Sequence, residues 1–431
     1  MPRPITGVLL LFGEACFVEV GRRPLCHRIL LSGHKAGVRD WRLLTWHDPK
    51  RVHASLASEP RLRDVAWQVH DVRSLGAGGL RRCLPAHDII VSSCTTVFDH
   101  RLFLDLQVHD SPVICIAPRP TQDASASSEP ALDELEMAAV PLKDGSHQAV
   151  APLRCAGTFM QQVLQDTQPE RQQASQALRL TLERLAADPQ VATIDVGQHV
   201  WVPLTPPFAA SVAAAEQHLL RTLGRDGDSP LVRQVARVIS RSVTKWLLHT
   251  RITPNQITLV SATTGLCGAV FLAQPSTLLR VLGACLFLLS TIVDGCDGEL
   301  ARLTFRESAF GARLDVTMDN VVHVFLFCAI ALGQYRQHQD SLYLILGALI
   351  LGGVFLSMAV YLPYVLRPRP VSSRQARLHE CLASRDFAYL LPVLAALNLL
   401  HWFLWAAVIG TYLFALAWIV LSWRQRQQGH V

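Results

Sequence analysis

Apolar and polar positions divide this chain into two unlike parts. Up to about residue 223 the apolar runs are short and change period from one to the next. Ile5–Phe12 is a brief apolar run that ends against Glu14, which predicts a buried strand. Leu25–Ala36 carries its apolar residues at helical spacing and stops at Gly37, a residue suited to a helix C-cap. Trp41–Trp46, Val65–His70, Asp88–Ser93 and Pro112–Ala117 predict further strands, and Pro49–Ala57 a second helix. Strands alternating with helices imply an α/β sandwich with a mostly parallel sheet. The Ser-, Pro- and acid-rich stretch Pro118–Pro130 predicts a surface loop. Residues 150–187 contain two helical segments, Val191–Leu204 two short strands, and Phe208–Leu223 a closing helix.

After RDGDS (225–229) the pattern changes. Leu231–Leu248 sets Arg233, Arg237, Arg241 and Lys245 at intervals of four, among apolar residues that include Val235, Val238, Ile239 and Trp246. Such a segment predicts a helix lying in a membrane interface with its bases toward anionic headgroups. Six apolar stretches follow, near 257–273, 276–294, 312–333, 341–364, 386–401 and 403–423. Each approaches the roughly 20 residues that a hydrocarbon core requires, the fifth being the shortest. The expected architecture is an N-terminal α/β domain, 1–223, and an all-α membrane domain, 224–431, built from an amphipathic helix and a six-helix transmembrane bundle.

Positive charge orients such a bundle. With the N-terminal domain in the cytoplasm, the loops on its side hold Arg302, Arg306 and Arg313, then Arg367, Arg369, Arg374, Arg377 and Arg385, then Arg424 and Arg426. The opposite side offers chiefly Arg280 and Arg336. Both chain ends are therefore expected on the cytoplasmic side. The formal charge of +6 is modest and much of it adjoins apolar runs, which suits a membrane surface. No aromatic-interleaved basic stripe points to nucleic acid. The 11 cysteines include no C-x2-C pair, an arrangement that favours a reducing compartment over a disulfide framework or structural zinc.

One stretch breaks the apolar pattern in a costly way. Asp294 closes one apolar run and Asp319 opens another, with Asp297 and Asp315 between them. Ionisable groups at the edge of a membrane span cost several kcal/mol unless paired or bound to metal. Asp294 and Asp297 are three apart and Asp315 and Asp319 four apart, so each pair shares a helix face. Two such helices side by side present four acids to one point, a site for divalent cations.

Read as D-x2-D-G-x2-A-R-x8-G-x3-D-x3-D, the stretch resembles the CDP-alcohol phosphatidyltransferase family. The fixed positions are Asp294, Asp297, Gly298, Ala301, Arg302, Gly311, Asp315 and Asp319. The family's T-P-N-x-I-T element is matched by Thr253, Pro254, Asn255, Gln256, Ile257 and Thr258. The resemblance implies transfer of a phosphatidyl or phospho-alcohol group from a CDP-linked donor to an alcohol, releasing CMP. It further implies two Mg2+ or Mn2+ ions held by Asp294, Asp297, Asp315 and Asp319, and Asp319 as the base that takes the acceptor's proton. Thr253, Pro254, Asn255, Gln256, Gly298, Arg302 and Ser308 are the implied CDP-binding positions. Arg306 and Arg313 are basic and close by; they serve either an acceptor phosphate or simple positive-inside orientation. A homodimer among membrane lipids is implied by the resemblance alone. His323, one turn past Asp319, reads as a packed span histidine.

Residues 21–46 and 88–102 resemble, more weakly, parts of a sugar-nucleotidyltransferase domain. Its chemical parts are missing: GEACFVEVG after the first strand has no G-x-G and no Lys, Thr95 stands where that family has a metal aspartate, and WVPLTPPFAA (201–210) holds no acid. The expectation is an inactive nucleotidyltransferase-like domain, in a layout similar to bifunctional inositol-phosphate cytidylyltransferase/phosphotransferase proteins. The alternatives are an active domain that makes the CDP-alcohol from CTP, or a nucleotide- or partner-binding regulatory module.

Overall fold

The computed structural model describes residues 5–11, 14–75, 79, 82–109, 112–118, 139–142, 146–166, 173–223, 237–366 and 387–427. The expected loop beyond Pro118, the stretch 225–229, Arg233, Val235, and the loop arginines Arg367, Arg369, Arg374, Arg377 and Arg385 lie outside the described residues, as do the side chains of Arg424 and Arg426. The chain divides into two units, Met1–Thr222 and Leu223–Val431.

The strands of the first unit are β1 (Thr6–Leu11), β2 (Glu19–Val20), β3 (Arg23–Pro24), β4 (Asp40–Thr45), β5 (Ala66–Asp71), β6 (Asp88–Ser93), β7 (Thr96–Phe98), β8 (Val113–Pro118), β9 (Ala139–Pro141), β10 (His147–Ala156), β11 (Ala192–Asp195) and β12 (Trp201–Pro203). Eight form one sheet in the order β11-β8-β10-β6-β1-β4-β5, with β9 beside β10. β1 pairs in parallel with both β4 and β6 and is buried along its whole length, as a central strand covered on both faces must be. Its helices are α1 (Leu25–Lys35), α2 (Pro49–Ala57), α3 (His100–Val108), α4 (Gly157–Asp166), α5 (Gln173–Ala187) and α6 (Phe208–Thr222). Trp41 is fully buried against Gly7 and Gly33, where an added Cβ would fall 2.4 and 2.2 Å from its ring.

The sheet is less parallel than the pattern predicts. β10 runs antiparallel to β6, β8 and β9 in the middle of the sheet. The pattern predicts helical segments from residue 150 onward, but His147–Ala156 form a strand. The register of β10 on β8 shifts between Val150 and Leu153, so Pro152 sits where the ladder is interrupted.

The described residues of the second unit include α7 (Arg237–Leu247), α8 (Pro254–Leu272), α9 (Thr277–Leu303), α10 (Ala309–His338), α11 (Leu342–Leu366), α12 (Phe387–Ala396) and α13 (Leu400–Gln427). Among the described residues five helices, α8 to α11 and α13, are long and apolar enough to cross a membrane; α12 is a shorter apolar helix with Pro392 inside it. The expected fifth span, 386–401, is thus represented among the described residues by a ten-residue helix. α8 packs on α9 backbone to backbone: a Cβ on Gly268 would lie 2.7 Å from the Gly283 carbonyl oxygen, and one on Gly283 2.5 Å from that of Gly268. Close approach through small residues is how apolar helices associate without a hydrophobic driving force.

Arg280, counted above as a loop charge, lies inside the bundle at 1% exposure. It donates to Gln337, to Thr277 at 3.1 Å and to Asn398 at 2.7 Å, joining the start of α9 to the ends of α10 and α12. A buried guanidinium needs such oxygens more than a loop arginine does.

Candidate active site

α9 and α10 carry the motif, and residues 304–308 turn the chain between them. Thr304 ends α9, Phe305 takes a left-handed conformation (φ 52°), and Ser308 caps α10 by accepting from the Gly311 amide at 3.0 Å. The turn returns the chain so that both helices pack on α8 and their acids converge. Asp294, Asp297 and Asp315 each bring a carboxylate oxygen within 4.8 Å of the others. Asp297 is buried and the other two are half-buried. Asp319 lines an adjoining pocket that it shares with Asp294, Ser261, Ser290, Thr291 and His323. Three of the four predicted acids therefore form one cluster, and the fourth borders a pocket with one of them.

The cluster is supported from α8. Thr258 Oγ1 donates to an Asp297 carboxylate oxygen, and Ser290 Oγ donates to the Ser261 carbonyl at 2.7 Å. Three carboxylates gathered among apolar helices repel one another, and an all-oxygen donor set matches hard divalent cations such as Mg2+ or Mn2+. The residues present fit such ions.

The remaining predicted positions divide by what holds them. Thr253 is the N-cap of α8 with Pro254 at its first turn, and Gln256 Oε1 accepts from the Thr253 amide at 2.9 Å. Asn255 reaches the start of α10, where a Cβ on Gly311 would sit 3.0 Å from its Oδ1. That explains the motif glycine at 311 as a close approach. At Gly298 the nearest atom to an added Cβ is Arg302 Nη1 at 3.2 Å, the end of a flexible side chain. Arg302 Nη2 also donates to the Leu223 carbonyl at 3.4 Å. Arg306 is half-buried and Arg313 exposed. His323 is packed edge-on against Phe287 and Phe387 with centroids 5.9 Å away, and its Nδ1 lies 2.7 Å from the Asp319 carbonyl oxygen.

Two supporting residues escaped the sequence reading. Thr258 closes the T-P-N-Q-I-T element but had no assigned role. Glu299 stands between the motif's fixed positions, and a carboxylate in an apolar helix is itself a signal. It is 1% exposed and accepts from Arg237, Ser240 and Thr244 of α7. Arg237 thus faces Glu299 rather than lipid headgroups, because a buried carboxylate requires a counter-charge and donors.

A bundle of membrane-length apolar helices with a carboxylate cluster across two of them defines a membrane-bound, acid-centred site. Residues 251–423, which lie within the second unit, match the family model CDP-alcohol phosphatidyltransferase. Among curated relatives, the bifunctional IPC transferase and DIPP synthase of Aquifex aeolicus is 30% identical over 155 residues, covering 36% of this chain and 35% of that protein. The phosphatidylinositol phosphate synthase of Corynebacterium glutamicum is 40% identical over 98 residues, 23% of this chain and 44% of that protein. The chain spans about a third of the length of the bifunctional relatives it matches, 35% and 33%. A solved nucleotidyl transferase from Methanothermobacter thermautotroptrophicus is also similar, covering 51% of this chain and 99% of its own at 13% identity and a TM-score of 0.35.

Proposed function

We propose that the chain transfers a phosphatidyl or other phospho-alcohol group from a CDP-linked donor to an alcohol acceptor, with release of CMP. The convergence of Asp294, Asp297 and Asp315 beside the pocket of Asp319 carries this reading. Asp294, Asp297, Asp315 and Asp319 are the residues that would hold two Mg2+ or Mn2+ ions. Bound there, the ions would neutralise the donor's pyrophosphate and the charge that develops as CMP leaves.

The chain's own groups bind, orient and move a proton. Gly298, where the nearest atoms to an added Cβ belong to the flexible Arg302 guanidinium, leaves room for the nucleotide against the α9 backbone. Arg302 supplies a charge-assisted donor for phosphate. Thr253, Pro254, Asn255, Gln256 and Ser308, at the starts of α8 and α10, border the CDP position. Asp319, lining the small pocket it shares with Asp294 and His323, orients the acceptor hydroxyl and takes its proton. The acceptor oxygen forms the new bond to phosphorus as the bond to the CMP oxygen breaks. Arg306, in the turn between the acid-bearing helices, and Arg313 receive a phosphate on the acceptor, consistent with a relative named for making phosphatidylinositol phosphate.

The same reading makes the chain a multi-pass homodimer with α12 completing a sixth crossing and the site open to the cytoplasm. The charge asymmetry of the loops supports that orientation. The first unit is then a binding module without transfer chemistry. β7 pairs with β12, bringing Thr95 and the 201–204 stretch together, with the Leu204 amide 2.8 Å from the Thr95 carbonyl, and neither segment holds an acid. The names of the bifunctional relatives favour a second reading, in which this unit makes the donor from CTP. Pyrophosphate release from CTP by the full chain would establish it.

The test is CMP release from labelled CDP-diacylglycerol by the purified chain in lipid vesicles, with a panel of free and phosphorylated alcohols. Acceptor-dependent release that falls at least a thousandfold in Asp319→Asn is expected. Full turnover in that variant would remove the assigned base.

A further inference from the structure

We propose that Glu299 is a positioning residue that fixes the rotation of α9 about its axis, and so the placing of Asp294 and Asp297 opposite Asp315. The inference rests on the metal-dependent reading above. Glu299 Oε1 accepts from Arg237 Nη1 at 2.8 Å and Ser240 Oγ at 2.9 Å, and Oε2 accepts from Thr244 Oγ1 at 2.8 Å. The donors stand at 237, 240 and 244, one buried face of α7. Cys296, a turn earlier on α9, packs the same way, its Sγ 3.6 Å from the Ser240 carbonyl oxygen.

The placement explains the effect. Two residues along a helix are about 200° apart, so Glu299 points away from Asp297. α9 is held on one side by α7 through Glu299 and on the other by α8 through Thr258 and Asp297. A carboxylate oxygen lies roughly 6 Å from the helix axis, so a rotation of about 20° would sweep it about 2 Å. That displacement is as long as a Mg2+–oxygen bond of about 2.0–2.1 Å, and such ions tolerate little departure from octahedral geometry. A buried ion pair adds little net stability over an apolar pair of similar size, whereas three directed hydrogen bonds fix an angle that apolar contact leaves loose.

The test uses the full chain in lipid nanodiscs and reads bound Mn2+ by the loss of the free-ion EPR signal, with no turnover needed. The variants are Glu299→Gln, the paired Arg237→Met with Glu299→Met, and the milder Ser240→Ala with Thr244→Val. The first two are expected to weaken Mn2+ binding about tenfold and the third about threefold, with the unfolding temperature of the methionine pair within a few degrees of wild type. If the methionine pair does not fold, the hydroxyl deletions decide. Wild-type Mn2+ affinity in the folded variants would overturn the positioning role alone. Absence of Mn2+ binding by the wild type itself would remove the metal reading and this inference with it.

Discussion

Asp297 shows how single residues make this site. It is buried, and the Thr258 hydroxyl from the next helix fixes one of its oxygens. A hydrogen bond to a charged group contributes about 1.5–3 kcal/mol. Thr258→Val is therefore expected to raise the Mn2+ concentration for half-maximal CMP release by about tenfold or more; an unchanged metal titration would contradict the support. His27 in the first unit gives a second prediction. It is buried with its Nε2 2.9 Å from Ser55 Oγ, and burial, helped by the charge of Arg23, lowers its pKa from 6.5 to about 4. The unfolded chain takes up this proton first as pH falls, so the stability it contributes is present above 6.5 and lost on descent toward 4. Thermal unfolding of the first unit should fall more steeply between these values in wild type than in His27→Gln; equal slopes would contradict a buried neutral imidazole. At this scale the convergence of Asp294, Asp297 and Asp315 was legible, because the cost of acids in an apolar setting and their spacing both announce it. Glu299 and Thr258 were not singled out, because their roles depend on which helix lies opposite, and no spacing within one element encodes that.

The helices are positioned by what they lack. Gly268 and Gly283 let α8 and α9 touch backbone to backbone, and a Cβ at either would meet a carbonyl oxygen inside 3 Å. Gly283→Val is expected to separate the helices and cost more than about 3 kcal/mol, read as a loss of monodisperse protein or a strong fall in unfolding temperature. A variant of wild-type stability would show that the contact is not needed. Element type and approximate bounds were readable wherever periodicity was strong: the strands at 40–45 and 88–93 and the helix at 49–57 lie where the pattern puts them. β10 was not readable, since Pro152 opposes a strand locally and only the pairing with β6 and β8 on either side overrides it. α7 was legible as an amphipathic helix, but its facing was not. Arg237 turns inward to Glu299, while Val238, Ile239 and Trp246 are the exposed apolar residues.

For the whole molecule, an α/β unit precedes a membrane domain in which Asp294, Asp297 and Asp315 form, among the described residues, the one group of three or more metal-ligating side chains close enough together to hold a metal ion. Apolar length alone made the membrane character legible, and five helices meet it. The span count was less so, because a ten-residue helix interrupted by Pro392 carries too little of the pattern to fix a crossing. The central claim is that these carboxylates serve metal-dependent group transfer, and it is tested most directly by CMP release from CDP-diacylglycerol after chelation and stepwise return of Mn2+ to wild type and Asp297→Asn. Wild type should fall to background with chelator and recover fully with Mn2+, and Asp297→Asn should remain at least a hundredfold slower at saturating metal. Turnover that persists in excess chelator, or that survives intact in Asp297→Asn, would contradict the account.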